Sequence, residues 1–364
     1  MQALVLAGGE GTRLRPLTLT RPKPAVPLVD RPFIRFMIDW LARHGVDDVV
    51  MACGFRAVDV RAAVGDEIPG GPSIRYLEEP EPLGTAGPIR LAAEAGMLAD
   101  RFFVLNGDVL TDLDLTAHLA AHEERDALAS LALYPVDDPS SYGLVRRGED
   151  GAVRGFLEKP DPADIDTDEV NAGAYVLERS VLDLIPAGRA VSIEREVFPR
   201  LVGQGLYGLR LEGYWMDIGT PERYLQASWD ILEGRVETAV AARMGADGTG
   251  IDELAEVEAG AMVSAPAFVD EGAQIAATAT VGPRAVIGAD CEVGEGAVIS
   301  ESALLAGCIV GEGATVEGSI LAAGVEVGAG AAVTAGAIVG EGARVEAGAE
   351  LDADARVEPG GIAA

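Results

Sequence analysis

Residues 275–299 read IAATATVGPRAVIGADCEVGEGAVI, with an aliphatic residue at every sixth position. The spacing starts at Val263 and extends to Val357, and a small residue, usually Ala, follows most of these positions four places later. The spacing shortens to five residues at two places, from Ile299 to Leu304 and from Val316 to Leu321. A six-residue period is typical of the hexapeptide parallel β-helix, in which aliphatic side chains fill a triangular coil. A Gly/Ala linker would not require such strict spacing, so residues 263–364 are predicted to form a parallel, left-handed β-helix.

The sequence before this tail has a different pattern. In residues 1–235, apolar runs such as 102–105 alternate with helical patterns such as 33–44. This alternation predicts an α/β domain, Rossmann-like, with a mixed and mostly parallel sheet. Residues 236–262 are polar, acidic and weakly patterned, and are predicted to connect the two domains.

The composition excludes several classes of protein. The chain has 364 residues and a net charge of −31, which disfavours binding to nucleic acid or to an anionic membrane. We find no run of about 18 uncharged apolar residues, which a membrane-spanning helix would need. The three cysteines are odd in number and lack metal-ligand spacing, which favours a reducing, cytoplasmic compartment.

One segment reverses the sign of the charge. Residues 4–24 read LVLAGGEGTRLRPLTLTRPKP, and Gly8, Gly9 and Gly11 would let backbone N–H groups converge on an anion. Residues 11–29 contain four basic residues and no acidic one. A tight structural turn alone would explain the glycines but not the charge, so the pattern predicts a phosphate site. The chain has only two lysines among its 28 basic residues, and one of them, Lys23, lies in this segment.

The same segment carries a resemblance. GGEGTRLRPLT followed by RPKP resembles the sugar-phosphate nucleotidyltransferase family. Further matching motifs follow in order: EPLGTAGPI (81–89), LNGDVL (105–110), YGLV (142–145), FLEKP (156–160), NAGAYV (171–176), SIEREVFP (192–199) and WMDIGTPERYL (215–225). A hexapeptide tail is usual for one branch of this family. Within the family, EPLGTAG, SIEREVFP and WMDIGTP are most similar to the mannose-1-phosphate guanylyltransferases.

The resemblance implies a reaction and a set of site residues. A sugar 1-phosphate oxygen would attack the α-phosphorus of a nucleoside triphosphate (NTP), and pyrophosphate would leave. The implied catalytic residues are Arg13, Lys23, Asp108 and Asp217, and the two aspartates would hold Mg²⁺. The implied nucleotide-binding residues are Leu6, Ala7, Gly8, Gly9, Gly11, Thr12, Arg13, Lys23, Glu79, Pro82, Gly84, Thr85 and Asp108. The implied sugar-phosphate-binding residues are Gly143, Glu158, Lys159 and Asn171.

The base is predicted from an acidic cluster, Glu78, Glu79 and Glu81. A carboxylate only accepts hydrogen bonds, and guanine presents two adjacent donors on its Watson–Crick edge. Glu79 is therefore predicted to select GTP, giving GDP-mannose from mannose 1-phosphate. A solvated acidic loop, with the base bound by backbone atoms, is the alternative.

Other functions are compatible with the sequence. The same reaction could use glucose 1-phosphate with UTP or dTTP, or a heptose 1-phosphate with GTP, and a non-catalytic regulatory homologue would keep the fold. The β-helix is predicted to support a homo-oligomer. The histidines at 44, 118 and 122 are predicted to lie at the surface or at helix ends, and because the tail contains none, acyl transfer there is disfavoured.

Overall fold

A computed structural model describes residues 1–54, 56–65 and 67–364. These residues divide into two compact units: the first comprises 1–9 and 36–215, and the second comprises 10–35 and 216–364. This division does not follow the predicted boundary at residue 235. The segment with Arg13 and Lys23 groups with the β-helix, although it is close in sequence to the first strand.

The elements that precede the tail are numbered in chain order. The strands are β1 Gln2–Leu6, β2 Pro27–Leu28, β3 Arg31–Pro32, β4 Asp48–Cys53, β5 Ser73–Glu78, β6 Arg101–Asn106, β7 Val109–Thr111, β8 Ala129–Pro135, β9 Gly143–Arg147, β10 Val153–Glu158, β11 Glu169–Glu178, β12 Leu206–Arg210 and β13 Trp215–Asp217. The helices are α1 Leu17–Thr20, α2 Phe33–Arg43, α3 Ala57–Val64, α4 Gly87–Glu94, α5 Leu115–Glu124, α6 Phe198–Leu201 and α7 Pro221–Leu232. Short 3₁₀ segments are Thr12–Leu14, Lys23–Ala25, Pro139–Ser141, Pro162–Asp164, Arg179–Leu184 and Ala239–Arg243.

The first unit is built on a mixed sheet. Nine strands of the described chain form it, in the order β10-β9-β11-β6-β1-β4-β5, with β8 on β11 and β12 on β8. The half from β6 to β5 is parallel, whereas β11 runs antiparallel to β6 and β8. Strand β1 lies inside this parallel half and is buried from Gln2 to Val5, which explains its nearly continuous apolar sequence. The predicted α/β class with a mixed sheet is confirmed.

Two histidines of helix α5 are buried, so the prediction of a surface position is wrong for them. His118 and His122 are 0% and 1% exposed, because a spacing of four places both on one helix face, against β8. Both rings lie within hydrogen-bonding distance of Ser130 Oγ, at 3.0 and 2.9 Å, and His122 Nε2 lies 3.1 Å from Glu178. Burial, helped by the neighbouring His122, lowers the pKa of His118 to about 3, although its contact with Ser130 opposes the shift.

This cluster predicts an acid-sensitive fold. Below pH 6.5 the unfolded chain takes up a proton at His118, whereas the folded chain does not. The free energy of unfolding should therefore decrease as the pH is lowered, by up to about 1.4 kcal/mol per pH unit. The loss should continue down to the folded pKa of about 3. His118→Leu should weaken this dependence between pH 7 and 5, measured by urea unfolding. His44→Gln is the control, since His44 is only partly buried. Equal pH slopes for wild type and His118→Leu would contradict the prediction.

The second unit contains the β-helix. Its strands are β14 Thr249–Ile251, β15 Glu256–Val257, β16 Met262–Val263, β17 Ala267–Val269, β18 Gln274–Ile275, β19 Thr280–Val281, β20 Ala285–Ile287, β21 Glu292–Val293, β22 Val298–Ser300, β23 Ala303–Leu304, β24 Ile309–Val310, β25 Thr315–Glu317, β26 Ile320–Leu321, β27 Glu326–Val327, β28 Ala332–Val333, β29 Ile338–Val339, β30 Arg344–Val345, β31 Glu350–Leu351, β32 Arg356–Val357 and β33 Ile362–Ala363. Within residues 249–364, all of them described, these strands form three sheets of seven, seven and six strands with parallel pairing throughout. The predicted parallel β-helix is confirmed.

The β-helix begins before Val263, the residue at which the sequence analysis placed its start. Strand β14 pairs with β17 and β15 pairs with β18, so the first coil starts at Thr249, inside the predicted connection of 236–262. The six-residue spacing does reach back through Val257 to Ile251. Ala255 and Ala261 follow Ile251 and Val257 four places later, so the repeat is present in this segment too. This end of the coil is more open: Ile251 is 44% exposed, whereas Ile287 is fully buried.

The two five-residue steps shorten single turns of the coil without breaking its register. Ile299 pairs with Val316, and Leu304 pairs with Leu321. The shortened corners enclose Ser302 and Ser319, which are 1% and 0% exposed. Ser302 Oγ accepts from the Ser319 N–H at 3.0 Å, so these buried polar groups are satisfied along the helix axis.

Several contacts tie the 10–35 segment to the rest of the second unit. Arg243 lies 3.0 Å from Asp30, 2.8 Å from Asp270 and 4.6 Å from the ring centroid of Phe268. Arg21 donates to Glu341 of the coil at 3.1 Å. The Asp30 side chain is 2% exposed, and the pKa of Asp30 is lowered because hydrogen bonds from arginine outweigh its burial. No helix of the described chain is long and apolar enough to cross a membrane.

Candidate active site

In the second unit, the cationic segment folds into a closed turn. Gly11 has φ 61°, and a Cβ there would lie 3.0 Å from Thr18 Cγ2 and 3.1 Å from Lys23 Cβ. Thr18 Oγ1 donates to the Gly11 carbonyl at 2.9 Å. Glycine is needed at this position both for its backbone angle and for the close approach of Lys23. Lys23 is 7% exposed, which is unusual for a charged side chain without a specific role.

Asp217 lies at the centre of a cationic cluster. Its carboxylate is 3.9 Å from Lys23 Nζ and 2.9 Å from Arg223 Nη1, and it accepts from the Gly219 N–H at 2.8 Å. A Cβ at Gly219 would lie 2.5 Å from Arg13 Nη2, so Arg13 reaches the same place. The structure therefore brings together three of the predicted catalytic residues: Asp217 is about two hundred positions from Arg13 and Lys23 in the sequence.

Arg223 was not predicted as a site residue. Thr220 caps helix α7, with Pro221 in its first turn, and this places Arg223 in that turn, beside Asp217. Its signal in the sequence is its position inside the WMDIGTPERYL motif, six residues after the aspartate.

In the first unit, predicted nucleotide-binding residues lie at the carboxyl ends of the parallel strands. Gly8 follows β1, and a Cβ there would lie 2.7 Å from Glu79 Oε1. A Cβ at Gly107, the residue before Asp108, would lie 2.7 Å from the Leu6 carbonyl. Ligands of α/β sheets bind at this edge. Burial raises the pKa of Glu79, and a hydrogen bond from the Leu83 N–H opposes this.

The predicted sugar-phosphate residues also lie near one another in the first unit. A Cβ at Gly143 would lie 2.9 Å from Glu158 Oε2, so glycine leaves space beside this carboxylate. Burial and the charge of Glu194 raise the pKa of Glu158, whereas Lys159 and Arg195 lower it. Glu194 and Arg195 were not predicted individually; the SIEREVFP motif contains both.

Asn171 is held by neighbours on its own strand. Its side-chain amide donates to the Tyr175 hydroxyl at 2.8 Å, and its oxygen accepts from the Gly173 N–H at 3.0 Å. The pKa of Tyr175 is raised well above its usual range, first by burial and then by the charge of Glu194; Glu158 and Asp108 add to the effect. The negative charges of three carboxylates therefore disfavour ionisation of the buried Tyr175 hydroxyl.

The predicted residues are thus divided between the units. Gly11, Thr12, Arg13, Lys23 and Asp217 belong to the second unit, and the others belong to the first. Metal binding by Asp108 and Asp217 stays a prediction. No group of three or more His, Cys, Asp or Glu residues in the described chain is arranged to hold a metal ion.

The fold and these residues define a nucleotidyl transferase. Residues 2–234 match the nucleotidyl transferase family, to which the chain belongs, and residues 263–357 match the GMPPB C-terminal domain. This confirms the family resemblance found in the motifs.

Individual relatives have more specific names. The chain is 43% identical to a mannose-1-phosphate guanylyltransferase of Mycobacterium tuberculosis over 64% of this chain and 65% of that protein. It is 44% identical to a mannose-1-phosphate guanyltransferase of Candida albicans over 63% of this chain and 64% of that protein. The matched region thus spans less than two thirds of these relatives. The crystal structure of HddC from Yersinia pseudotuberculosis is similar, with a TM-score of 0.55 and 28% identity over 63% of this chain and 99% of that chain.

Proposed function

We propose that this protein transfers a guanylyl group from GTP to mannose 1-phosphate, giving GDP-mannose and pyrophosphate. The observation that carries the proposal is the convergence of Lys23 and Arg13 on Asp217. Cations beside a carboxylate in a mostly buried place suit a triphosphate and a metal ion. The names of the relatives support the choice of guanine and mannose.

The chemistry needs charge neutralisation and alignment more than a covalent intermediate. Arg13 and Lys23 would hold the triphosphate and stabilise the negative charge that develops on the α-phosphoryl group and on pyrophosphate. Lys159 would pair with the phosphate of the sugar, and Glu158 would accept a hydrogen bond from a sugar hydroxyl.

Mg²⁺ fits the donors that the chain offers. Asp108 and Asp217 supply hard carboxylate oxygens, and Mg²⁺ takes one or two carboxylates together with substrate phosphates. The Asp217 side chain is 18% exposed; one oxygen pairs with Arg223 and the other accepts from the Gly219 N–H, so a metal ion would use the remaining lone pairs of these oxygens. When bound, the ion would neutralise phosphate oxygens.

Guanine selection rests on Glu79. Its carboxylate lies beside Gly8 at the end of β1, close to the predicted phosphate-binding turn. A carboxylate pairs with the N1–H and the N2 amine of guanine, and it repels the carbonyls of uracil and thymine.

The direct test is pyrophosphate release from GTP, Mg²⁺ and mannose 1-phosphate by the purified protein. Competition among GTP, UTP, dTTP and ATP, and among mannose, glucose and heptose 1-phosphates, would identify the preferred pair. Absence of turnover with every pair of nucleotide and sugar phosphate would refute the proposed enzymatic activity.

Lys159→Ala should mainly weaken binding of the sugar phosphate. The pairing of an ammonium with a phosphate is a charge-assisted contact, so its loss should raise the KM for mannose 1-phosphate about tenfold or more. The KM for GTP should change little. Steady-state kinetics with each substrate varied in turn would measure both constants. An unchanged KM for mannose 1-phosphate would contradict this role.

We also propose that the enzyme works in the cytoplasm as a homo-oligomer. The three cysteines are buried free thiols, in keeping with a reducing compartment. The last strand of the coil, β33, carries Ile362, which is 69% exposed and offers an apolar contact to another copy. Light scattering would measure the assembly.

A further inference from the structure

The predicted nucleotide loop is fastened to a segment far along the chain. The Ala86 N–H donates to the Val191 carbonyl and the Val191 N–H donates to the Leu83 carbonyl, both at 2.9 Å. Between them, Gly84 has φ 72°, and a Cβ there would lie 2.6 Å from the Val191 oxygen. Glycine is therefore required at position 84, and two backbone hydrogen bonds hold residues 83–86 to Val191.

A side-chain link continues from this backbone contact. Thr85 Oγ1 donates to Glu194 Oε2 at 2.7 Å and accepts from the Ile193 N–H at 2.8 Å. Ser192 Oγ donates to the same carboxylate oxygen at 2.7 Å. Hydrogen bonds to a carboxylate are about twice as strong as neutral ones. The hydroxyl of Thr85 is thus committed to Glu194.

Glu194 in turn belongs to the sugar side of the site. The turn that carries Glu194, Ile193–Val197, packs against strand β10, which ends at Glu158. From there the charge of Glu194 raises the pKa of Glu158 and of the buried hydroxyl of Tyr175, to which Asn171 donates. Glu194 also lies in a single π-helical turn, Ile193–Val197, a rare conformation that is frequent at functional sites. One carboxylate therefore contacts the nucleotide loop and acts on the groups predicted to bind the sugar.

We infer that the Thr85–Glu194 hydrogen bond is a positioning link that couples the two substrate sites, an inference that rests on the proposed function. A nucleotide that orders the loop at Thr85 fixes Glu194 beside Glu158, so that the sugar phosphate meets a pocket already arranged. Because coupling free energies are reciprocal, the sugar phosphate must tighten nucleotide binding by the same factor.

The test compares Thr85→Val, which keeps the shape but removes the hydroxyl, with Thr85→Ser, which keeps the hydroxyl. Calorimetry with Mg²⁺ would measure the Kd of mannose 1-phosphate with and without a GTP analogue whose α,β-bridging oxygen is replaced by a methylene group, so that no pyrophosphate can leave. In the wild type the analogue should tighten sugar-phosphate binding. The ratio of the Kd values without and with the analogue should be about tenfold smaller in Thr85→Val than in the wild type. In Thr85→Ser the ratio should stay within about twofold of the wild-type value.

Ser192→Ala is the matched control. It removes the other hydroxyl from the same oxygen of Glu194, together with its contact to the Arg195 N–H, but keeps the hydrogen bond from Thr85. It should weaken sugar-phosphate binding equally with and without the analogue, leaving the coupling unchanged. Equal coupling in wild type and Thr85→Val, or equal loss in Ser192→Ala, would overturn the link.

An alternative variant and the wild-type measurements separate failure of the link from failure of the proposed function. If Thr85→Val does not fold, Glu194→Ala removes the acceptor of the same hydrogen bond and should reduce the coupling in the same way. A wild-type protein that binds neither mannose 1-phosphate nor the GTP analogue would overturn the proposed function. A wild type that binds both without mutual tightening would overturn the link alone.

Discussion

Asp217→Asn is expected to reduce Mg²⁺-dependent turnover about a hundredfold or more, since one of two proposed metal ligands loses its charge. The fold should survive, because the asparagine oxygen can still accept from the Gly219 N–H. Asp108→Asn should have a similar effect. Pyrophosphate release across a Mg²⁺ titration would measure the loss, and circular dichroism would monitor the fold.

Asp230→Asn is the matched control for Asp217→Asn. Asp230 belongs to helix α7 in the same unit, and its carboxylate binds Arg235 at 3.3 Å. Its change should lower the melting temperature without altering the Mg²⁺ dependence. Near wild-type turnover in Asp217→Asn would show that this carboxylate does not serve the metal.

Lys23→Met should produce the other large loss, about a hundredfold in kcat/KM for GTP. The change keeps the length of the side chain but removes the cation proposed to stabilise charge on the triphosphate. Lys23→Arg should not restore activity, because Lys23 is 7% exposed and packs against Gly11, leaving little room for a guanidinium. Steady-state kinetics with GTP varied at saturating mannose 1-phosphate would test both variants.

Arg15→Met provides the comparison within the same segment. The Arg15 side chain is 50% exposed and pairs with Glu10 at 3.2 Å, so a change there should cost only a few-fold. If Arg15→Met and Lys23→Met had equal effects, the segment would act through its general charge and not through a placed ammonium.

The family and much of the architecture could be predicted because their signals are local. The six-residue period sets the interior of each coil whatever lies around it, and every sixth residue from Ile275 to Ile299 is buried as predicted. The period between Ile251 and Val263 was not recognised because its aliphatic residues stand among acidic ones, which made the segment resemble a polar connection. His118 and His122 were misplaced because a four-residue spacing shows that they share a face but not which way that face points.

The sequence by itself determined the repeat that builds the β-helix, the alternation that builds the α/β sheet, and the segment where a strongly acidic chain becomes cationic. These are properties of neighbouring residues, which spacing and charge express directly. Only the tertiary structure decided that Lys23 and Arg223 face Asp217 and that Thr85 binds Glu194. The physical reason is that the contacts of Lys23 with Asp217 and of Thr85 with Glu194 join segments far apart in the chain, whereas that of Arg223 depends on how helix α7 is set against Asp217.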